Sequence, residues 1–200
     1  MRADVRGRAG DGPTFAVLGE LDALVVAGHP EGDPETGAAH ACGHNAQIAG
    51  MLGAAIGLLD AKAFDQLAGR VAFFSVPAEE YGDIEWRVAQ ARAGKLEFLG
   101  GKPELLRLGH FDDVDMAMMI HTTPRPEEGK AGVPASNNGC IVKTVRYVGR
   151  AAHAGGAPHM GINALYAAHI GLMAINAIRE TFRDEDTIRV HPIITHGARR

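Results

Sequence analysis

The stretch His40-Ala-Cys-Gly-His-Asn45 places a thiol and an imidazole two residues apart, with a second imidazole just upstream. From Asn45 the apolar residues recur at helical spacing, so the stretch lies where a loop gives way to a helix. Alone it is a modest signal for a metal site. It becomes a strong one if later parts of the chain bring a carboxylate and another histidine to the same place. The apolar stripe of the predicted helix consists of Ile48, Met51, Leu52, Ala55, Ile56 and Leu59.

Strands and helices alternate along the first two thirds of the chain, which predicts an α/β fold with a largely parallel sheet. Short apolar runs bounded by turn residues predict the strands. The predicted strands are 15–19, 71–76 and 114–120, the further helical stretches are 79–92 and 103–108, and residues 28–39 form a loop.

The character of the chain changes after residue 121. Residues 122–138 are dense in Pro, Glu, Gly and Asn and predict a connecting loop. Beyond it we expect a strand at 140–148, a helix over 162–173 and a strand at 187–195, which together form a small α+β unit. The predicted domains are therefore 1–136 and 137–200.

Composition excludes several classes of protein. The 200 residues are 46% hydrophobic, and their formal net charge is −4. No cluster of Lys and Arg is interleaved with aromatic residues, which argues against nucleic-acid binding. No apolar run reaches the length of a membrane span, and the first residues lack the apolar core of a signal peptide. Two cysteines without a secretion signal predict free thiols in a reducing compartment, the cytoplasm, rather than a Cys42–Cys140 disulfide.

Three groups of polar residues follow the predicted strands, and ligands bind outside the carboxyl ends of strands in open α/β sheets. Cys42 and His44 lie in the connection after the first strand, a glutamate pair follows the second, and His121 ends the third. Thiolate, imidazole and carboxylate are protein ligands of zinc. The helix starting near Asn45 also favours the thiolate of Cys42 through its dipole. Taken singly, Cys42 also fits a buried apolar residue, and His121 fits a loop histidine bonded to the backbone.

Glu79 and Glu80 are the carboxylates that follow the second strand. Adjacent side chains point in different directions, so one can bind a metal ion while the other acts as the general base for a water molecule. The alternative is a solvated helix start, where acidic residues are favoured. His153, in a loop of small residues, could donate a hydrogen bond to an oxyanion, and its alternative is a capping or surface role.

The motifs together resemble the dinuclear-metal amidohydrolases of the aminoacylase/carboxypeptidase type, within the zinc exopeptidases. The nearest resemblance is to the branch that contains aminobenzoyl-glutamate hydrolase subunits and related dipeptidases. The resemblance covers essentially the whole chain. The motifs that carry it are, in order, Gly19-Glu-Leu-Asp-Ala-Leu24, His40-Ala-Cys-Gly-His-Asn45, Pro77-Ala-Glu-Glu80, Met118-Met-Ile-His121, and Gly149-Arg-Ala-Ala-His-Ala-Gly155 with Pro158-His159.

The resemblance implies a fold, a function and a role for each site residue. It implies part of a three-layer catalytic domain of the zinc-exopeptidase type, followed by the first half of a lid domain that forms a homodimer. It implies a hydrolase that cleaves an amide or peptide bond of an N-acyl amino acid or a dipeptide with two Zn²⁺ or Mn²⁺ ions. The implied ligands are Cys42, His44, Glu80 and His121, with Glu79 as general base, His153 as oxyanion donor from the partner subunit and Asp22 as a support for the ligands.

The chain also departs from the family pattern. Members of the family carry a segment before the residue that corresponds to Met1 and a long segment after the one that corresponds to Arg200, which holds a final histidine ligand. His196 lies in the predicted lid strand, not where that ligand belongs. We therefore expect a truncated chain that is inactive alone, and the alternative function is a non-catalytic metal-binding fragment or subunit. A nucleotide-binding protein is disfavoured, because no strand is followed by a glycine-rich phosphate loop.

Overall fold

The structure is a computed structural model that describes residues 1–134 and 136–197. The chain divides into two compact units, Met1–Lys130 and Ala131–Arg200. The domain boundaries given above stay a prediction. In the described residues, no helix is both long and apolar enough to cross a bilayer.

The first unit contains a four-stranded sheet and three helices. In chain order its elements are β1 (Arg2–Arg6), β2 (Thr14–Glu20), β3 (Leu24–Val25), β4 (Ala38–Ala39), α1 (His44–Asp60), β5 (Arg70–Val76), α2 (Ile84–Arg92), α3 (Gly101–Arg107) and β6 (Met116–Met119), with short 3₁₀ turns at Ala63–Asp65 and Pro126–Glu128. The strand order is β1-β5-β2-β6, and β3 pairs with β4 as a separate short ribbon, of which β4 lies at the end of the predicted loop 28–39 and β3 lies before it.

The central strands are parallel, as the sequence predicts. β2 runs parallel to both β5 and β6, and only the edge strand β1 is antiparallel to its neighbour β5. Alternate residues of β2 and β5 form the core on one face of the sheet, where the ring of Phe74 stacks on that of Phe111 with centroids 4.6 Å apart. The α/β prediction is confirmed for this unit, and the predicted strands 15–19, 71–76 and 114–120 correspond to β2, β5 and β6.

The predicted helix after Asn45 is confirmed as α1, but the prediction of its buried face is partly wrong. The side chains of His44, Gln47 and Met51 are buried, which turns this face of the first two turns toward the sheet. Polar contacts of His44 and Gln47 with Glu20, at the end of β2, fix this orientation. The periodicity of apolar residues cannot predict these polar contacts. Three members of the predicted stripe are consequently more than half exposed: Leu52, Ile56 and Leu59.

The helix predicted over 79–92 begins later, at Ile84, as α2. Glu79 and Glu80 lie in the extended connection that follows β5. The physical reason is local, because Ala78 and Asp83 adopt left-handed backbone conformations, with φ of 59° and 49°. A residue in this region cannot continue a right-handed helix. The short predicted helix 103–108 is confirmed as α3.

The described residues of the second unit contain one α-helix, α4 (Ala164–Ala177), in agreement with the predicted helix 162–173. The side chain of Asn163 caps it by accepting from the N–H groups of Leu165 and Tyr166. Short 3₁₀ turns lie at Pro158–Met160, Ile178–Thr181 and Asp184–Asp186.

The strands predicted at 140–148 and 187–195 are wrong for the described part of this unit. Both segments lack ladder pairing there, and the described pairing is a single antiparallel bridge between Arg150 and Ile162. A strand requires a partner in register as well as an apolar side, and the apolar side chains of these segments are exposed, Ile141 at 84% and Ile193 at 83%.

Candidate metal centre

The ends of two parallel strands and the start of α1 bring five polar side chains together. Glu20 is the last residue of β2, and Asp22 follows two residues later. Glu79 and Glu80 follow the end of β5, and His44 is the first residue of α1. Because β2 and β5 are parallel neighbours, their carboxyl ends meet at the same edge of the sheet.

His44 lies at the centre of this group and is 1% exposed. Its Nε2 atom is 3.0 Å from Glu20 Oε2, 3.6 Å from Glu79 Oε2 and 3.9 Å from Glu80 Oε1. Its Nδ1 atom is 3.0 Å from the main-chain oxygen of Asp22 and 3.4 Å from Asp22 Oδ1. One imidazole therefore faces carboxylates on both of its nitrogen atoms.

The partners of His44 assign its tautomer. Nδ1 donates to the carbonyl oxygen of Asp22, so a neutral ring carries its proton there and turns the Nε2 lone pair toward the glutamates. Nε2 has no hydrogen-bond partner, and neither have two other buried atoms, Asp22 Oδ1 and Gln47 Nε2. A lone pair facing carboxylate oxygens is unfavourable unless a cation lies between them. The residues present therefore fit a metal ion.

Two sets of ligand atoms are close enough to hold an ion. The first set is Cys42, His44 and Glu80, and the second is Glu20, His44 and Glu79; within each set the atoms lie within 4.8 Å of one another. Three of the four predicted ligands thus come together in the first set. Thiolate, imidazole and carboxylate are the ligand types that zinc accepts.

The thiol of Cys42 does not show the acidity that the sequence predicts. Its hydrogen bond to the Glu80 carboxylate raises its pKa, as do its partial burial and the negative charges of Glu80, Glu79 and Glu20. These carboxylates outweigh the dipole of α1, so the prediction of a thiolate favoured by the helix is wrong for the protein groups alone. A coordinated cation reverses this order, because a thiol that binds a metal ion is deprotonated.

Left-handed backbone conformations shape the loop that leads into α1. Cys42 has φ of 57° and Gly43 has φ of 88°, directly before α1. The positive φ of Gly43 favours glycine, and a Cβ there would also lie 2.4 Å from the Oγ1 of Thr122 in the segment that follows β6. The segment that follows β6 is thereby packed against the beginning of α1.

His121 lies beside this contact, two residues after the end of β6, but its side chain is turned elsewhere. It is exposed, and its Nδ1 atom is 2.7 Å from the main-chain oxygen of Thr122. Among the described residues its ring belongs to neither set of ligand atoms. Its role as a metal ligand stays a prediction.

Glu79 and Asp22 have surroundings that suit their predicted roles, Glu79 as the general base and Asp22 as a support for the ligands. The side chain of Glu79 is 39% exposed, and partial burial followed by the charge of Glu20 raises the pKa of this carboxyl. Asp22 Oδ2 accepts from the main-chain N–H of Glu80 at 2.7 Å, and its own carbonyl holds His44. Asp22 therefore orients two of the predicted ligands at once.

Three residues of this site were not predicted from the sequence. Glu20 is 1% exposed, and its N–H donates to the Oε1 of Gln47 at 3.1 Å. The ammonium group of Lys102, in the first turn of α3, pairs with Glu20 Oε1. A signal for Glu20 exists, since it lies two residues before Asp22 at the end of a strand, but an acidic residue at a strand end usually faces water. Gln47 and Lys102 carry no comparable signal.

His153 belongs to the second unit, where it is exposed. Its Nδ1 atom accepts from the main-chain N–H of Gly156 at 2.8 Å. In the neutral ring the proton therefore lies on Nε2, which leaves a single outward N–H donor.

Comparison with known proteins identifies the family. The chain is 32% identical over 186 residues to a Xaa-Arg dipeptidase of Mus musculus, a match that covers 91% of this chain and 35% of that protein. It is 31% identical over 193 residues to one of the p-aminobenzoyl-glutamate hydrolase subunits of Escherichia coli (strain K12), and this match covers 92% of this chain and 35% of that protein. The chain thus spans about a third of the length of these curated relatives.

A crystal structure from methicillin-resistant Staphylococcus aureus, of a protein described as an aminohydrolase, shares the fold. The match covers 90% of this chain and 44% of that one, with a TM-score of 0.54 and 24% identity. The family model described as "Peptidase family M20/M25/M40" matches residues 16–196, which include every predicted site residue. The chain belongs to peptidase family M20/M25/M40.

Proposed function

We propose that the complete protein is a metal-dependent hydrolase that cleaves the amide or peptide bond of an N-acyl amino acid or a dipeptide. One observation carries the proposal: the Nε2 atom of His44 is buried, lacks a hydrogen-bond partner and is surrounded by carboxylates from two strand ends. Such an arrangement is stable when a cation is bound between the groups.

The proposed ligands are those of the first set, Cys42, His44 and Glu80, with His121 as a further ligand. A rotation of the exposed His121 side chain would have to bring its ring to the site. The thiol and the imidazole favour Zn²⁺, and Mn²⁺ is the alternative that the carboxylates accept.

Two ions, rather than one, suit the charge of the site. Its four carboxylates and a thiolate carry five negative charges, of which the ammonium group of Lys102 neutralises one. Two divalent cations would balance the remainder, whereas one would leave an excess of negative charge at the site. The carboxylates are those of Glu20, Asp22, Glu79 and Glu80.

Divalent ions supply two effects to amide hydrolysis when bound, since they acidify water and polarise a carbonyl group. The residue proposed to move protons is Glu79, whose carboxylate lies beside the ligands and is partly open to solvent. It would take a proton from the attacking water and give it to the departing amine. Asp22 would keep His44 and Glu80 in place during both transfers.

His153 is the proposed donor to the oxyanion of the tetrahedral intermediate. Its Nδ1 is occupied by the N–H of Gly156, so its Nε2–H is available as a donor. The proposed assembly is a homodimer in which the second unit of one subunit delivers this histidine to the site of the other. Two free thiols, Cys42 and Cys140, agree with a reducing compartment such as the cytoplasm.

The proposed substrates carry a free carboxylate next to the scissile amide bond. The names of two relatives support this class. Xaa-Arg dipeptides and p-aminobenzoyl-glutamate both contain an amino acid whose amino group is acylated and whose α-carboxylate is free. The acyl group and the amino acid are left open within this class.

Metal analysis of the complete protein tests the proposal, together with the substitution Glu79→Gln. The variant should keep its bound metal but lose at least about 100-fold in kcat, because only the proton acceptor is removed. The matched control is Glu35→Gln in the exposed loop before β4, which should leave turnover unchanged. A complete protein without divalent metal, or an unimpaired Glu79→Gln variant, would contradict the proposal.

The second candidate is a non-catalytic metal-binding chain or a subunit that another chain completes. The observation that favours it is the position of His121, because no fourth ligand joins either set within residues 1–134 and 136–197. Hydrolysis distinguishes the two functions. Metal binding by the complete protein without turnover of any dipeptide or N-acyl amino acid would favour the second.

A further inference from the structure

A partly buried ion pair, Glu20–Lys102, lies beside the proposed ligands and enters the proposed function only through its charge. The side chain of Glu20 is 1% exposed; one of its oxygen atoms contacts Lys102, and the other lies 3.0 Å from His44 Nε2. Glu20 is also a member of the second set of ligand atoms. A carboxylate oxygen this close to a metal-binding imidazole can become a ligand itself.

Close backbone packing fixes the position of Lys102. The N–H of Gly101 donates to the carbonyl oxygen of Ala78 at 2.9 Å, and a Cβ at Gly101 would lie 1.6 Å from the oxygen of Pro77. The first turn of α3 is therefore packed directly against the loop that carries the glutamate pair. This packing directs the 32% exposed side chain of Lys102 to the buried carboxylate of Glu20.

We propose that Glu20 is a latent metal ligand and that Lys102 is a positioning residue that keeps it off the metal. The inference depends on the proposed function, because it needs a metal ion bound by Cys42, His44 and Glu80. The ammonium group holds Glu20 by one oxygen and neutralises its charge, so the carboxylate gains less from joining the ion. The coordination position that Glu20 would occupy stays open for water and substrate.

The alternative role of the pair is purely structural, in which Lys102 only compensates a buried charge. The two roles differ in what happens to the metal when the ammonium group is removed. A structural pair changes stability and the local charge, whereas a latent ligand changes the number of groups bound to the ion. Coordination number is visible in the absorption spectrum of bound Co²⁺, which weakens as ligands are added to a tetrahedral site.

The test uses Co²⁺ as the probe and the full 200-residue chain, with Lys102→Met as the main variant. We expect Lys102→Met to bind Co²⁺ about tenfold more tightly or better, since a cation is lost and a carboxylate is gained, and to show a weaker visible spectrum. The double variant Glu20→Gln/Lys102→Met should return to the wild-type spectrum. Lys102→Arg should resemble wild type, and Lys95→Met on the surface is the control for the same change in net charge.

The outcomes separate the possibilities. A Lys102→Met spectrum equal to that of wild type would overturn the proposal even if affinity rises, because charge alone explains that result. A changed spectrum that persists in the double variant would also overturn it, since Glu20 would not be the added ligand.

Glu20→Gln alone provides a test that survives poor folding of Lys102→Met. It should leave the wild-type spectrum unchanged, because Glu20 is not a ligand while Lys102 holds it, and a loss of a ligand there would overturn the proposal. If wild type binds no Co²⁺, the metal site itself is refuted and this inference with it. Absence of hydrolysis by the complete protein, with Co²⁺ binding intact, would instead refute only the proposed activity.

Discussion

Replacing Gly101 by alanine tests how firmly α3 is attached to the loop that carries the glutamate pair. A Cβ at this position would lie 1.6 Å from the oxygen and 2.8 Å from the carbon of the Pro77 carbonyl. Both atoms belong to the backbone, so no side-chain rotation relieves the overlap. One of the two segments must move by roughly 1.5 Å or more before the atoms reach van der Waals distance.

The expected cost has two parts. Overpacking of this kind destabilises a protein by about 1–3 kcal/mol. The movement also breaks the hydrogen bond from the N–H of Gly101 to the oxygen of Ala78, 2.9 Å long, which contributes about 1 kcal/mol. We therefore expect Gly101→Ala to lower the free energy of unfolding by about 2–4 kcal/mol.

Urea unfolding of the 200-residue chain, followed by circular dichroism, measures this loss. The matched control is Gly53→Ala in the interior of α1, where a Cβ would meet nothing within 4 Å. This control should raise the free energy of unfolding by up to about 1 kcal/mol, because alanine favours the helix over glycine. If Gly101→Ala unfolds at the same urea concentration as wild type, the contact between α3 and Pro77 is not as tight as described.

Two further predictions concern single carboxylates. Asp22→Ala should weaken metal binding by about 10–100-fold, because the side chain that accepts from the N–H of Glu80 is lost. Competition with a chelating dye measures the affinity, and an unchanged affinity would show that Asp22 does not support the ligands. Asp113 pairs with Arg2 and Arg70, and chiefly the hydrogen bond from Arg2 lowers the pKa of its carboxyl from 3.8 to about 2. The stabilisation from these two ion pairs is therefore complete above about pH 4 and lost toward pH 2. Asp113→Asn should lower the melting temperature at neutral pH but not at pH 2. An equal decrease of the melting temperature at both pH values would refute stabilisation by the ionised carboxylate.

The strands and α1 could be predicted because each has a pattern that local chemistry creates. The apolar run 71–76 and the change of period at Asn45 follow from burial of a strand between parallel neighbours and of one side of a helix. The position of the site followed from the same step, since the polar residues after β2 and β5 meet at one edge of the sheet.

The rest depends on contacts that sequence patterns do not record. Lys102 and Glu20 are 82 positions apart, and nothing local to either residue indicates that the two side chains pair. The late start of α2 follows from the left-handed backbone of Ala78, a residue that ordinarily favours helices. In the second unit the alternation at 140–148 describes one apolar side of an extended chain, but pairing also requires a neighbouring strand.

The left-handed conformation of Cys42 limits which residues can replace it. Aspartate and asparagine adopt positive φ more readily than most side chains, whereas β-branched residues are strongly disfavoured there. Of the metal-binding alternatives, aspartate therefore fits this backbone well, and it exchanges a soft sulfur ligand for a hard oxygen. In the proposed metal site, replacing Cys42 by aspartate would therefore shift the metal preference toward manganese or magnesium on a backbone that aspartate accepts.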